Sequence, residues 1–159
     1  MIDLDRIDVA LIGLLQNDAR LSNKELAAKV GLAPSSTLGR IRRLRDEGVL
    51  LGAHAEVDPE ALGVALQALV VIRIARHSRE VSDSLRSHLF AQPEVIAIWH
   101  VGGEDDIIVH VAVRDARHLN DLMLDRITSR SEVARVRTEI VFSHQRNPVT
   151  PSYLDAVRR

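Results

Sequence analysis

The sequence predicts an α+β protein in two parts, three helices followed by a sheet that two further helices cover. Up to about residue 50, apolar side chains recur at the three- and four-residue spacing of amphipathic helices. From residue 67 onward, short apolar strands alternate with helices in the order βαββαβ. Asp58, Pro59 and Glu60 form a turn signal between these regions. We therefore predict two domains, residues 1–58 and residues 64–143, and a C-terminal tail of residues 144–159.

Composition narrows the functional classes. The chain has 159 residues, 46% of them hydrophobic and 27% charged, which is ordinary for a soluble globular protein. The formal net charge is −1, so any attraction to a polyanion must be local. The absence of cysteine excludes disulfides and cysteine-ligated zinc and fits a reducing cytoplasm. The acidic N-terminus does not resemble a secretory signal, and the apolar runs are too short for a membrane span.

The first predicted helix covers residues 5–17. Its apolar face is formed by Ile7, Leu11, Leu14 and Leu15. Asp5 and Asp8 fall in the first turn, where negative charge suits the helix dipole.

The next two helices have clear boundaries. Ser22 and Glu25 form an S-x-x-E capping box, in which each side chain accepts from an otherwise unpaired backbone N–H of the first turn. Gly31 ends the second helix because it readily adopts the left-handed conformation of a C-terminal cap. Pro34 opens the third helix, where its missing N–H costs nothing. This succession is typical of a helix-turn-helix.

The third helix carries a basic face. At about 100° per residue, Leu38, Ile41 and Leu44 are predicted to point into the protein. Arg45 lies beside them as a structural flank. Arginine and serine suit phosphate oxygens and base edges, so we predict DNA contacts on the other side. The predicted DNA-binding residues are Ser35, Ser36, Gly39, Arg40, Arg43 and, at the edge of that face, Arg42. The alternative interpretation is a solvated basic face without a ligand.

The remaining elements define the second domain. Residues 49–57 are predicted to form a small β wing or a connecting strand. Strands are then predicted at residues 67–74, 95–101, 107–113 and 136–142, and helices at residues 78–91 and 115–127. This is the split βαβ order of ferredoxin-like domains, which cover only one sheet face with helices. Because the other face is rich in Val, Ile and Ala, we expect a homodimer formed through it.

Three stretches carry a resemblance to a known family: LDRIDVALIGLLQNDARLSNKELAAKVGLAPSSTLGRIRRLRDEGVL, VDPEALG and VGGEDD. Together they resemble the Lrp/AsnC family of prokaryotic transcription factors, over roughly residues 2–143. The resemblance implies a winged helix-turn-helix DNA-binding domain joined to a ferredoxin-like effector-sensing domain. It also implies dimers, often assembled into larger rings, and a small effector that is usually an amino acid. The effector-binding residues it implies are Gly102, Gly103, Glu104, Asp105, Asp106 and Thr138.

The chemistry of this turn fits such an effector. An acidic side chain can accept from the ammonium group of a free amino acid, and the glycine backbone exposes N–H groups to a carboxylate. The alternative interpretation is a β-turn whose polar tip is only solvated. No cofactor is expected.

Three positions depart from the family pattern. Ile107 stands where the family often has Tyr, so the identity of the effector cannot be transferred. Ala33 replaces a common Ser before the third helix and removes a cap worth about 1 kcal/mol. Gly39 lies within the third helix at a cost of about 1 kcal/mol, which close approach to DNA would explain.

Three other functional classes compete with this one. A metal-responsive regulator would use His100 and His110 together with the acids Glu104, Asp105 and Asp106. An enzyme is disfavoured because no nucleophile motif or phosphate-binding loop is present. A sensor without a DNA role would use the helix-turn-helix for protein contacts. We predict instead a cytoplasmic regulator that binds double-stranded DNA and a small effector and that forms a homodimer or a larger ring of dimers.

Overall fold

The computed structural model describes residues 3–154, which divide into two compact units. The first unit runs to Ala55 and includes the C-terminal stretch from Gln145, and the second runs from Glu56 to His144. The elements in chain order are α1 (Arg6–Asn17), α2 (Asn23–Val30), α3 (Pro34–Asp46), a 3₁₀ turn (Glu60–Leu62), β1 (Leu66–Ile74), α4 (Arg79–Phe90), β2 (Val95–His100), β3 (Ile107–Val113), α5 (Ala116–Leu122), a π-helical turn (Met123–Thr128) and β4 (Val133–Ile140). Among residues 3–154, no helix has the length and apolar character needed to cross a membrane.

The three helices of the first unit begin close to their predicted starts, and α1 and α2 also end close to their predicted ends. Asp5 caps α1 and Ser22 caps α2, each in a reciprocal capping box. Gly31 ends α2 at a φ of 70°, in the left-handed region that favours glycine. Leu11, Leu26 and Ile41 form the buried core, one residue from each helix. The predicted three-helix unit is therefore confirmed.

We expect Ser22→Ala to lower the free energy of unfolding by about 1 kcal/mol, because it removes one half of the capping box. The Ser22 hydroxyl accepts from the Glu25 N–H at 3.3 Å, and the Glu25 carboxylate accepts from the Ser22 N–H at 2.8 Å. Urea denaturation followed by the helical circular dichroism signal measures the change. Ser35→Ala is the control, since within residues 3–154 the exposed Ser35 hydroxyl makes no hydrogen bond. Equal losses in the two variants would contradict the capping role.

The expected wing is not formed. Residues 49–57 contain no strand in the described chain, and their apolar side chains Leu51 and Val57 are exposed. A strand needs a neighbour to pair with its N–H and C=O groups, and within residues 3–154 this stretch has none. The alternating pattern was therefore insufficient to predict a strand.

The second unit has the predicted ferredoxin-like βαββαβ fold. Its sheet has the order β2-β3-β1-β4, with every neighbouring pair antiparallel. Central strand β1 pairs Val70 with Val109 of β3 on one side and with Thr138 of β4 on the other. One sheet face packs against α4, α5 and the π-helical turn. The buried residues of this core are Ala68, Val70, Ile72, Ile74, Leu85, Leu89, Ile107, Val109, Val111, Val113, Leu119, Leu122 and Ile127.

The last predicted helix divides into two. α5 ends at Leu122, and residues 123–128 continue as a wider π-helical turn. The Thr128 hydroxyl donates to the Met123 carbonyl at 3.0 Å, and the Ser129 hydroxyl donates to the Asp125 carbonyl at 3.0 Å. Hydroxyl groups that bond to preceding carbonyls compete with regular helical hydrogen bonds, which accounts for the wider turn. The spacing of apolar residues does not report this competition, so it predicted one continuous helix.

The opposite sheet face carries no helix in the described second unit, but it is less apolar than the sequence suggested. Leu69, Val71 and Ile108 lie on it, with half-exposed Trp99 on the edge strand. Polar side chains lie among them, because the same face carries Gln67, His110, Arg135, Arg137 and Glu139.

Candidate DNA interface and effector cavity

The turn between α2 and α3 is held without a side-chain cap on α3. Ala33 occupies the N-cap position and, as its sequence predicts, makes no capping hydrogen bond. The Asn23 side-chain amide at the start of α2 instead donates to the Pro34 carbonyl at 2.8 Å. The Leu32 N–H donates to the Ala27 carbonyl at 3.0 Å. These bonds fix the start of α3 relative to α2, as a helix-turn-helix requires.

The buried face of α3 is rotated from the predicted one. Thr37, Ile41 and Leu44 are buried, whereas Leu38 is 37% exposed. Thr37 can be buried because its hydroxyl donates to the Ala33 carbonyl at 3.2 Å, leaving its methyl group for packing. The prediction that Leu38 faces inward is therefore wrong.

The rotation changes which residues point away from the unit. At about 100° per residue, four residues lie within about 55° of the direction opposite the buried face, namely Ser35, Gly39, Arg42 and Arg43. Arg42 is exposed, and among residues 3–154 it makes no ion pair or hydrogen bond. Arg42, which the sequence placed at the edge, therefore lies on the outward face about as near its centre as Arg43 does. Ser36 is also exposed and lies at the border of this face.

The two arginines predicted to point outward most strongly are held by α1. One Arg40 Nη1 atom donates to Asp5 at 2.6 Å and to Asp8 at 2.9 Å, and Arg43 donates to Asp8. The Asp8 side chain is only 1% exposed, whereas that of Asp5 is 49% exposed. The Asp8 N–H and then the Arg40 guanidinium hold the pKa of Asp5 below its usual value.

Sequence reasoning missed these ion pairs, although their signal was present. Asp5 and Asp8 are three residues apart on α1, and Arg40 and Arg43 are three residues apart on α3. Residues at this spacing share one helix face, so two packed helices can match two acids with two bases. Both acids were instead assigned to the helix dipole.

The predicted effector-binding residues lie in three different places. Glu104 accepts from Arg135 at 3.1 Å, and Asp105 lies 3.5 Å from Arg137, on the sheet face without helices. A hollow of about 330 Å³ there also includes Gly102 in its lining, and Gly103 is exposed at the tip of the turn. The Thr138 hydroxyl instead contacts the Met123 sulfur at 3.9 Å, on the helix-covered face.

Asp106 points to a third place, the N-terminal end of α4. Its carboxylate accepts from the Ile74 N–H at 2.8 Å, and its other oxygen lies 2.7 Å from His77 Nε2. Burial opposes ionisation, but the Ile74 N–H and the His77 ring outweigh it and hold the pKa of Asp106 below its usual value. Asp106 is therefore a carboxylate near neutral pH, available to a cation.

A cavity of about 650 Å³ opens beside Asp106, within the usual size range of small-molecule sites. Within residues 3–154, the Ser82 hydroxyl and the Arg86 Nε are buried without a hydrogen-bond partner. Ser78 caps α4 by accepting from the Val81 N–H at 3.2 Å. The lining residues are Ile74, His77, Ser78, Arg79, Ser82, Asp83, Arg86, His100 and Asp106. The cavity thus combines acids, bases and hydroxyls, which matches an ammonium and a carboxylate on one small molecule.

Most of this lining was missed from the sequence. His77, Ser78 and Ser82 stand twenty or more residues before the hairpin turn. Their proximity arises because β1 pairs with β3, placing the start of α4 beside Asp106. No local motif announces that pairing.

The residues of the metal-responsive alternative are separated by the fold. His100 lines the cavity, but His110 bonds to Gln67 at 2.8 Å on the sheet face without helices, with His144 nearby. Burial, and then His144, lower the pKa of His110. No group of three or more potential ligands comes together to hold a metal ion within the described residues. The geometry gives this alternative no support.

Comparisons with known proteins cover both units. The AsnC-type helix-turn-helix domain matches residues 4–45, and the Lrp/AsnC ligand binding domain matches residues 67–148. The HTH-type transcriptional regulator AldR of Mycolicibacterium smegmatis is 38% identical over 144 residues, covering 91% of this chain and 84% of that protein. The DNA-binding transcriptional activator DecR of Escherichia coli K12 is 37% identical over 118 residues, covering 74% of this chain and 78% of that protein.

Solved structures share the same architecture. The transcriptional regulator NMB0573 of Neisseria meningitidis, crystallised in complex with L-Met, matches with a TM-score of 0.84 and 26% identity, covering 98% of this chain and 99% of that one. The leucine response regulatory protein LrpA of Mycobacterium tuberculosis matches with a TM-score of 0.79 and 34% identity, covering 93% and 99%.

Proposed function

The chain belongs to the Lrp/AsnC family of transcriptional regulators, and we propose which of its residues bind DNA and which bind an effector. It is a DNA-binding regulator rather than an enzyme. We propose that α3 reads DNA and that an amino acid bound in the cavity beside Asp106 modulates this binding. Its site of action is the cytoplasm, where prokaryotic DNA lies.

The observation that carries the DNA proposal is the outward face of α3. Ser35, Gly39 and Arg42 combine a hydroxyl, a position without a side chain and a guanidinium that has no ion-pair partner among residues 3–154. A helix with such a face can enter the major groove closely, where arginine forks the guanine edge or a phosphate. Ser36, Arg40 and Arg43 lie at the rim of this face, placed to contact the flanking backbone.

We propose that the sheet face without helices forms a homodimer. Val71 and Ile108 lie on it with half-exposed Trp99, and polar side chains alongside them provide specific pairing. A two-fold dimer presents two copies of α3 to half-sites of a pseudo-palindrome, spaced by about 10 base pairs or a multiple. We also propose that such dimers assemble into larger rings.

We propose that the effector is an amino acid held at the N-terminal end of α4. Asp106 would accept from its ammonium group, while Ser82 and Arg86 would donate to its carboxylate. The related structure in complex with L-Met supports this ligand class. Gly102, Gly103, Glu104 and Asp105 are proposed to face a second subunit. Thr138 does not line the cavity, so we propose no contact between it and the effector.

Two measurements test the proposed function. Selection of bound genomic fragments, followed by fluorescence anisotropy with the selected duplex, tests DNA recognition, and scrambled duplex is the control. A thermal-shift screen of the twenty amino acids tests the effector, because a ligand of the folded state raises stability by mass action. The DNA proposal would be overturned if no genomic fragment were enriched over scrambled duplex. The absence of any thermal shift would overturn the amino-acid proposal.

A further inference from the structure

The contacts between α1 and α3 place two carboxylates on the arginines that border the outward face. Arg40 bridges Asp5 and Asp8 through a single Nη1 atom, at 2.6 and 2.9 Å. Arg43 donates to Asp8 from the next turn of α3. Part of the positive charge of the recognition helix is therefore neutralised within the protein before any DNA arrives.

The two carboxylates differ in how easily they can be displaced. Asp8 is 1% exposed and also accepts from the Asp5 N–H at 3.1 Å, so the fold holds it in place. Asp5 is 49% exposed, and an ion pair in contact with water is weak and readily exchanged. Arg40 is therefore bound firmly by one partner and loosely by the other.

The loose partner borders an open hollow beside the outward face. The hollow measures about 490 Å³, and its lining consists of Ser36, Gly39, Arg40 and Arg43 together with the carboxylates of Asp3, Asp5 and Asp8. A Cβ atom added at Gly39 would meet nothing within 4 Å, so the surface is open there. Hydroxyl and guanidinium donors around an open hollow suit a phosphate oxygen, and the Asp5 carboxylate already occupies one of the donors.

We infer that Asp5 is an internal competitor of DNA phosphate for Arg40, and that it limits non-specific binding by keeping this arginine from phosphate until the selected duplex displaces it. Asp8 acts as the fixed anchor that keeps Arg40 and Arg43 oriented. The inference rests on the proposed DNA-binding function. It assigns Asp5 a part in restraining affinity, beyond its role as the cap of α1.

Asp5→Asn tests this inference without removing the cap. The Asp5 side chain accepts from the Asp8 N–H at 2.9 Å, and Asn caps a helix about as well as Asp. The variant should bind scrambled duplex roughly three- to tenfold more tightly at low salt, since one more guanidinium meets phosphate. The slope of log affinity against log salt should steepen by about 0.9, the value for one added phosphate contact.

Two further variants separate this effect from a general change in charge. Asp18→Asn is the matched control, because Asp18 is also an exposed aspartate of the first unit and also pairs with an arginine, Arg20, at 3.1 Å. It should leave both affinity and slope unchanged. Adding Arg40→Gln to Asp5→Asn should cancel the gain in both quantities.

The outcomes distinguish this inference from the proposed function. If the wild type binds duplex but Asp5→Asn has the same affinity and salt slope, or binds more weakly, the inference is wrong and the proposed function stands. An equal gain in Asp18→Asn also overturns it. If neither the wild type nor any variant binds duplex, the proposed function fails and the inference fails with it.

Discussion

Replacing Arg42 with alanine should weaken binding to the selected duplex by about 1–3 kcal/mol, or roughly 5- to 150-fold. Arg42 is the exposed arginine nearest the centre of the outward face of α3, and no ion pair holds it within residues 3–154. Its guanidinium is thus free to reach a base edge or a phosphate without first losing an internal partner. Fluorescence anisotropy at fixed salt measures the loss.

The matched control for Arg42 is Arg45→Ala, which removes the same charge from the same helix. Arg45 is also exposed, but it lines a hollow with Leu15 and Leu50 of the first unit, on the flank of the buried face. It should lose much less affinity than Arg42→Ala. Equal losses would mean that only the charge of α3 matters and that its orientation does not.

Replacing Asp106 with alanine should abolish the thermal shift caused by the effector. A ligand at about 100 times its Kd stabilises the folded protein by about 2.7 kcal/mol, and all of this should disappear. The cavity is lined by two carboxylates, those of Asp83 and Asp106. Asp83 already pairs with Arg86, so we expect Asp106 to accept from the ammonium group of the effector. For the wild type and for each variant, the melting temperature with the amino acid is compared with the melting temperature of the same protein without it.

Controls are needed because Asp106 also supports the fold through the Ile74 N–H. Asp106→Asn retains an acceptor for that N–H while removing the charge, and it should also lose the response. Asp105→Ala removes the neighbouring carboxylate, which pairs with arginines and does not line the cavity, and it should keep the response. A wild-type shift in Asp106→Asn would place the ammonium contact elsewhere.

The architecture was predictable because its determinants are local. Capping residues such as Ser22 and Gly31, and the start at Pro34, mark the helices of the first unit within a few positions of sequence. Strand β3 was predicted at its observed bounds, Ile107–Val113, because its alternate side chains are buried on one face. The βαββαβ order then restricted the topology to a single familiar arrangement.

The site was less predictable because its determinants are not local. Thr37 was not among the residues predicted to face inward, yet it is buried with its hydroxyl bonded to the backbone, and the outward face is rotated toward Arg42. The pairing of Arg40 with Asp5 spans 35 positions, and that of Asp106 with His77 spans 29. Sequence patterns give the approximate face of a helix, but neither its exact rotation nor which neighbouring residues pair with its charges.

The central claim is that α3 presents a positively charged face to the DNA backbone and bases. The most direct measurement is the affinity of the wild-type protein for its selected duplex across a range of salt concentrations. We expect log affinity to fall linearly with log salt, with a slope of about −0.9 for each phosphate contacted and several contacts in total. An affinity that does not change with salt, or that is the same for scrambled duplex at every salt concentration, would contradict it.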